Sequence, residues 1–342
     1  MQTCDTLLHA GVLLTQDDDR RVLENAALAI DGGRIVALGY SQDVTAAWQA
    51  REILDLSGML VMPGLVNAHT HAAMTFLRGL ADDMPLMDWL QQKIFPVEQG
   101  LTPDLVRLGS LLGFAEMLRT GTTSCVDMYI FEAAVLEAAD KAGLRCLAGE
   151  GVFNFPSACC PDADAALACT REMAQRWAGH DRLHVAVMPH SVYTTTAAQL
   201  TACRELADEL GLPLHIHLAE TRQETALSLE QHGLRPVAHA DRLGLLRPGT
   251  ILAHVVDVDA DEIALLARRG VSVVHNPSSN MKLASGVAPV PAMLDAGVRL
   301  ALGSDGAASN NRLNMFTEMG RAALLHKAAG DPETMPARTV LD

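Results

Sequence analysis

From Met59 onward, short apolar runs of strand length alternate with helical stretches eight times over about 280 residues. The strand candidates are 60–66, 123–128, 144–149, 183–188, 213–218, 250–256, 271–274 and 298–303. A helix between successive strands carries the chain back to its starting edge, so neighbouring strands lie parallel. Eight such units fit a closed (β/α)8 barrel of the α/β class, typically ~250 residues. An open doubly wound sheet is the competing architecture, but it predicts a Gly-rich phosphate turn after the first strand, and none stands there.

Residues 5–60 follow another pattern, with strand candidates Leu7–Leu14, Ala27–Ile30, Arg34–Leu38 and Glu52–Leu56 and turn chemistry such as Asp31-Gly32-Gly33. The expected division is a small β-domain over 1–58, the β-sandwich part, and the barrel over 59–342. Among the helices, Thr102-Pro103-Asp104 supplies an N-cap, a proline suited to the first turn and a carboxylate at the positive dipole end, and Gly121 marks the stop. Apolar positions 105, 108, 111, 112 and 115 form a stripe expected to pack on the sheet. A second helix is expected from about Ala197 to Leu210.

Composition narrows the function. The formal charge of −15, with 26 basic residues scattered among 41 acidic ones, works against nucleic acid as a partner. No apolar run approaches the ~20 residues of a membrane span, and Met1-Gln2-Thr3-Cys4-Asp5 lacks the basic start of a signal peptide. Seven cysteines without a Cys-x-x-Cys pair point to a reducing, cytoplasmic setting rather than a disulfide framework or a structural zinc site. Adjacent Cys159 and Cys160 are not expected to clasp a metal together.

In a barrel, residues at the C-terminal ends of the strands converge on one site. Six of the eight expected strands deliver a ligand or acid–base group there: His69 and His71, His190, His217 with Glu220, His254, His275, and Asp305. His215 lies deeper than His217 and reads as a packed barrel-layer residue, and His275 reads equally well as a turn residue. His184 starts its strand at the far end, and His9, His180, His232, His239 and His326 fall on peripheral segments. Three imidazoles and a carboxylate suit Zn²⁺, with Fe²⁺ as the alternative, and leave a position for water. Asp305 can both bind the metal and accept a water proton; Glu220, three residues past His217, can deliver a proton to a substrate.

Asn-Ala-His-Thr-His at 67–71, His-Leu-Ala-Glu-Thr at 217–221, Ala-His at 253–254, His-Asn-Pro-Ser-Ser-Asn-Met-Lys-Leu at 275–283 and Gly-Ser-Asp-Gly at 303–306 resemble the amidohydrolase superfamily. Within it they look most like the 5-methylthioadenosine/S-adenosylhomocysteine deaminases. The resemblance implies that His69, His71, His217 and Asp305 bind one metal ion. It implies that His254 orients the attacking hydroxide and that Glu220 protonates the purine ring nitrogen. Residues 183–190 contain no lysine to bridge a second metal, which favours the one-metal subtype. Trp89, Glu98 and His190 carry over as substrate contacts: a flat face for a purine, an acceptor for ribose hydroxyls, and a donor or acceptor at the nucleoside edge. From the residues alone, Trp89 reads as a packing residue and Glu98 as a solvated charge.

Two departures from that pattern carry expectations. Relatives that take S-adenosylhomocysteine can hold its carboxylate with arginines after the third barrel strand; here Glu150-Gly151-Val152-Phe153-Asn154-Phe155-Pro156 stands there, with no Arg before Arg171. That favours 5′-methylthioadenosine or adenosine. The family also completes its β-sandwich with strands after the barrel, whereas this chain ends at Asp342, so the sandwich is expected to lack its C-terminal half. The expected partner is a small nucleoside, with no membrane partner and a homo-oligomer compatible with the exposed β surface. The alternatives are hydrolysis of another aminopurine or a triazine ring, which a proton-delivering Glu220 makes less fitting for chloride loss, and a non-catalytic scaffold, which would have shed ligands.

Overall fold

A computed structural model describes residues 1–342, with the side chain of Ala329 left out. It contains two compact units, Met1–Gly64 together with Asp342, and Leu65–Leu341. The first unit holds β1 (Gln2–Leu14), β2 (Val22–Asp31), β3 (Arg34–Tyr40) and β4 (Trp48–Val61) in the order β3-β2-β1-β4. β1 pairs antiparallel with β2 and parallel with β4, the latter joined through the helix Ser41–Ala47. Every third residue of β1 from Cys4 to Leu13 is buried, as are Ala26 to Ala29 of β2, and these form the small core of this unit.

The second unit is the barrel. Its strands are β5 (Leu65–Thr70), β6 (Thr122–Tyr129), β7 (Arg145–Val152), β8 (Leu183–Val185), β9 (Met188–Pro189), β10 (Leu214–Leu218), β11 (Thr250–His254), β12 (Ser272–His275) and β13 (Arg299–Leu302). One parallel run is β5-β6-β7-β8, with β9 also on β7, and the other is β10-β11-β12-β13. β8 and β9 occupy one strand position, broken by a short gap. Single bridges Val187–Leu214 and Ser191–His217 link the two runs on one side. On the other, the Asp305 amide donates to the His69 carbonyl at 3.0 Å. The eightfold parallel arrangement expected from the alternation is thus present.

One strand lies elsewhere than expected. The run 60–66 is not a single strand: β4 continues to Val61, and β5 begins only at Leu65. Pro63 lacks a donor for a ladder and fixes its φ, and with Gly64 it separates the two. β5 therefore ends at Thr70, with His69 inside it and His71 immediately after it.

The helix Pro103–Arg119 starts where its cap chemistry dictates, the Leu105 amide donating to Thr102 Oγ1 at 3.3 Å. Its buried face is not the expected stripe. Val106, Gly109, Ser110, Gly113, Phe114 and Met117 are buried, while Leu105, Leu108 and Leu112 are exposed. The small residues decide this. A Cβ on Gly109 would come within 2.6 Å of the Ala73 carbonyl oxygen, and one on Gly113 within 2.8 Å of that of Ala72. The helix seats its glycines against the 3₁₀ turn Ala72–Leu77 that follows His71, and Thr75 Oγ1 donates to the Gly109 carbonyl at 2.8 Å. The helix Ala197–Leu210 has the expected bounds and a reciprocal capping box between Thr196 and Gln199.

Candidate active site

Strand alternation at β5 and β10 aims side chains inward at defined depths. His69 and His217 leave their strands toward the centre of the rim, with ring centroids 4.8 Å apart. His71 follows β5 and places Nε2 3.1 Å from Asp305 Oδ1; His69 Nε2 lies 3.4 Å from the same oxygen. His254 ends β11 and stacks on His217 at 5.5 Å. Three of the residues just at or past the strand ends, Ala219, His254 and Asp305, hold φ of 52°, 74° and 59°. Left-handed backbone at non-glycine residues costs energy and is found where a side chain must be aimed.

Each imidazole is oriented through its other nitrogen. His71 Nδ1 donates to the Met128 carbonyl, and His217 Nδ1 to the His190 carbonyl at 2.7 Å. His254 Nδ1 meets Asn280 Oδ1 at 2.8 Å, and His69 Nδ1 meets His215 Nε2 at 2.8 Å. A carbonyl partner fixes the proton on Nδ1 and leaves a lone pair on Nε2. For His69, Nε2 is buried without a hydrogen-bond partner. Nitrogen and oxygen atoms of His69, His217 and His254, and of His69, His71 and Asp305, each lie within 4.8 Å of one another. This donor set fits a divalent cation.

Charge tells the same story. Burial holds His69 down to about 4, and burial and the crowding imidazoles drive His217 well below the ordinary value. Burial also works against a charged His71, but the hydrogen bond and charge of Asp305 outweigh it and lift that ring to about 9. Burial pushes the Asp305 carboxyl up; the His69 and His71 rings beside it more than reverse this and hold it well below the carboxylate range. Gly306 N and Ser309 Oγ donate to its two oxygens at 2.8 and 3.0 Å. A buried carboxylate paired with His71, beside the neutral rings of His69 and His217, is an electrostatic environment a cation can complete.

Glu220, buried, has Oε2 3.7 Å from His254 Nε2 and accepts from Ser285 Oγ at 3.0 Å. Burial raises its pKa, which favours a carboxyl that holds a proton to give. Its backbone is tied down by Glu224, whose carboxylate accepts from the Ala219 and Glu220 amides at 2.9 and 2.7 Å.

Above these side chains opens a concave pocket. His71, His190, His217, Glu220, His254 and Asp305 form its polar floor, and Trp89, Phe95 and Phe153 are among its apolar walls. Trp89 and Glu98 belong to a broken helix: Leu86–Trp89, a π turn Leu90–Ile94, then Phe95–Glu98. Pro96 has no amide to donate and its ring crowds the carbonyl four residues back, a cause for the widened turn before it. Trp89 is buried; Glu98 is half-buried at the edge, where burial pushes its carboxyl up to about 7. His190 packs its ring 4.9 Å from Phe153, with Nδ1 2.8 Å from Thr194 Oγ1.

All nine residues expected at the site, His69, His71, Trp89, Glu98, His190, His217, Glu220, His254 and Asp305, fall in or against this one pocket. His275 does not: it is buried beside His326, with ring centroids 5.4 Å apart. Sequence reading passed over Tyr193 and Ser285, which reach the pocket or Glu220 from loops without periodic signal. It also gave His215 no more than a packing role, although its spacing of two from His217 put it on the inner face behind His69.

The amidohydrolase family pattern matches residues 60–342. The chain belongs to that family. A 5-methylthioadenosine/S-adenosylhomocysteine deaminase of Desulfovibrio desulfuricans (strain ATCC 27774 / DSM 6949 / MB) is 64% identical over 343 residues, spanning 100% of this chain and 78% of its own length. The protein of that name from Lawsonia intracellularis (strain PHE/MN1-00) is 57% identical over 342 residues, with the same two coverages. Among solved structures, an adenosine deaminase from Xanthomonas campestris with bound zinc superposes with a TM-score of 0.97 at 43% identity, covering 99% of this chain and 78% of that one. No helix among the described residues is long and apolar enough to cross a membrane.

Proposed function

We propose that this amidohydrolase is a metal-dependent deaminase of an adenine nucleoside, converting 5′-methylthioadenosine or adenosine, and S-adenosylhomocysteine less well, to the inosine analogue and ammonia. The observation that carries the reading is the floor of the pocket: atoms of His69, His71 and Asp305 and of His69, His217 and His254 form two adjoining clusters, each within 4.8 Å, with the protonatable Glu220 beside them. The names and identities of the relatives above support the substrate class.

His69, His71, His217 and Asp305 would hold one divalent cation, zinc by the chemistry of the donors and the zinc of the related structure, with iron the alternative. Bound there, it would supply Lewis acidity and lower the pKa of water from ~15.7 toward 7. Glu220 gives its proton to the ring nitrogen next to the carbon bearing the amine, which makes that carbon electrophilic. Water adds to this carbon while Asp305 takes up its proton, and His254, fixed by Asn280, holds the water in line. The proton on Asp305 then goes to the amine, which departs as ammonia, and the proton left on the new hydroxyl passes to Glu220 as the carbonyl forms. An amine leaves poorly unless the ring and the nitrogen are protonated, so this acid suits deamination better than loss of chloride.

Trp89 offers a face to the purine, Glu98 accepts from the ribose hydroxyls, and His190 contacts the nucleoside edge. No Arg or Lys lines the pocket among the described residues, so a free carboxylate on the substrate's tail finds no cation there. Seven free cysteines fit a reducing compartment such as the cytoplasm. A small nucleoside remains the proposed partner, with self-association into a homo-oligomer compatible with it and nucleic acid disfavoured by the net charge of −15.

Ammonia release by the zinc-loaded protein, measured on 5′-methylthioadenosine, adenosine, S-adenosylhomocysteine and guanine in parallel, tests this. The expected result is turnover of the adenine nucleosides alone, with S-adenosylhomocysteine the poorest. Turnover of guanine alone would overturn the ring assignment, and equal kcat/KM on all three adenine nucleosides would overturn the tail argument.

A further inference from the structure

A second group of metal-ligating side chains stands apart from the pocket floor. Cys159 and Cys160 lie in the loop between β7 and the helix Ala163–Arg176, and Cys169 is on that helix. The sequence separates Cys169 from the adjacent pair by two turns of helix and a cap. The fold folds the loop back over the helix, and the three sulfurs come within 4.8 Å of one another. All three are free thiols; Cys160 is buried, while Cys159 and Cys169 are partly open to solvent.

The three sulfurs are close enough to converge on one ion, and none is in a disulfide. Sulfurs bound to one zinc at ~2.3 Å in a tetrahedron lie roughly 3.8 Å apart, whereas a disulfide needs them at ~2.05 Å. The loop is held in place independently of the sulfurs. Ser157 N donates to the Cys160 carbonyl at 2.9 Å, Cys160 N donates back to Ser157 Oγ at 2.9 Å, and Asp162 caps the helix through the Ala165 amide at 2.9 Å. Glu150, buried near the end of β7, lies beside Cys159 and is fixed by the Phe131 and Glu132 amides at 3.1 and 3.0 Å.

We propose that Cys159, Cys160 and Cys169 form a second metal site, which takes one thiophilic d10 cation (Zn²⁺, Cd²⁺ or Cu⁺) through three thiolate sulfurs. Soft thiolates select such ions over Mg²⁺ or Ca²⁺. Binding breaks the remaining S–H bonds and releases their protons to solvent, with no change in oxidation state. The fourth position faces solvent through the openings at Cys159 and Cys169. The same loop carries Phe153 and Phe155, which pack on Phe95 of the pocket wall, so a bound ion braces that wall from behind.

The test is a Cd²⁺ titration of the reduced full chain, followed by the ultraviolet charge-transfer absorption of cadmium–thiolate bonds. Cadmium at the His/Asp floor gives no such band, so the readout is independent of the deaminase reading. The expected result is a band saturating at one Cd²⁺ per chain. Cys169→Ser and Cys160→Ser should each weaken it by more than the roughly 10–100-fold that loss of a supporting group costs, with thermal unfolding checked to show that each variant folds. The absence of the band in the folded wild type would overturn the site. Its survival in the Cys159→Ser/Cys160→Ser/Cys169→Ser variant would overturn it too, by assigning the band to Cys4, Cys125, Cys146 or Cys203.

Discussion

The floor and the wall of the pocket are built differently. His69, His217, His254 and Asp305 sit at the ends of parallel strands, where the sheet register and a second hydrogen bond fix each side chain. Trp89 and Glu98 sit on one-turn helices around a π turn, where no ladder constrains them, and Trp89 Nε1 is buried without a hydrogen-bond partner. Rigid strand ends suit groups that must meet a cation and a developing charge within a fraction of an ångström. A broken helix suits a surface that must accept the shape of a substrate. On this division, floor residues govern kcat and metal affinity, and wall residues govern KM.

The largest expected effect is at Glu220. Glu220→Gln keeps the side-chain volume and the Ser285 contact but removes the proton to be delivered. The kcat is expected to fall by roughly 10²–10⁴, the usual worth of a positioned general acid, while zinc content measured by elemental analysis stays the same. A variant that loses its metal would show that Glu220 belongs to the ligand set and would blur the division between ligand and acid on the floor.

The same division explains what could be read from the chain in advance. The alternation of apolar runs located the barrel strands within a few residues, since strand length and inward pairs such as His215 and His217 follow from the backbone repeat. The floor residues were legible because strand ends in a barrel converge whatever the loops do. The helix Pro103–Arg119 misled, because its leucines look like a core stripe while the real contact is made by Gly109 and Gly113 approaching backbone. Close approach by small residues leaves no apolar signature. Trp89 and Glu98 were reached only through a family likeness, since a π turn and a proline obscure helical periodicity. The grouping of Cys169 with Cys159 and Cys160 depends on how one loop folds back, which no local pattern encodes.

A middle-sized effect is expected behind the floor. His215 is buried, and its Nε2 lies 2.8 Å from His69 Nδ1. His215→Phe preserves the packing and removes the group that holds the His69 ring. Zinc affinity, measured by competition with a chelator, is expected to drop roughly 10–100-fold, the cost of losing such support. Unchanged affinity with unchanged thermal stability would mean that His215 only fills its layer.

The smallest effect is on the wall, and pH separates it from the floor. Burial lifts the Glu98 carboxyl to about 7, so it is neutral below that pH and charged above it. A cation on the floor attracts the charged form and moves the midpoint lower, never higher. A charged acceptor binds a ribose hydroxyl about 1 kcal/mol better than a neutral one, a factor of about 5 in affinity. The KM of the wild type is therefore expected to fall about threefold between pH 6 and pH 8, since titration is incomplete at both ends. In Glu98→Gln, which cannot ionise, that slope should disappear while kcat stays within about twofold. If the variant kept the wild-type slope, the titrating group would lie on the floor. If instead it lost kcat by more than tenfold, Glu98 would act on the reacting atoms, and the wall would share the work assigned here to the strand ends.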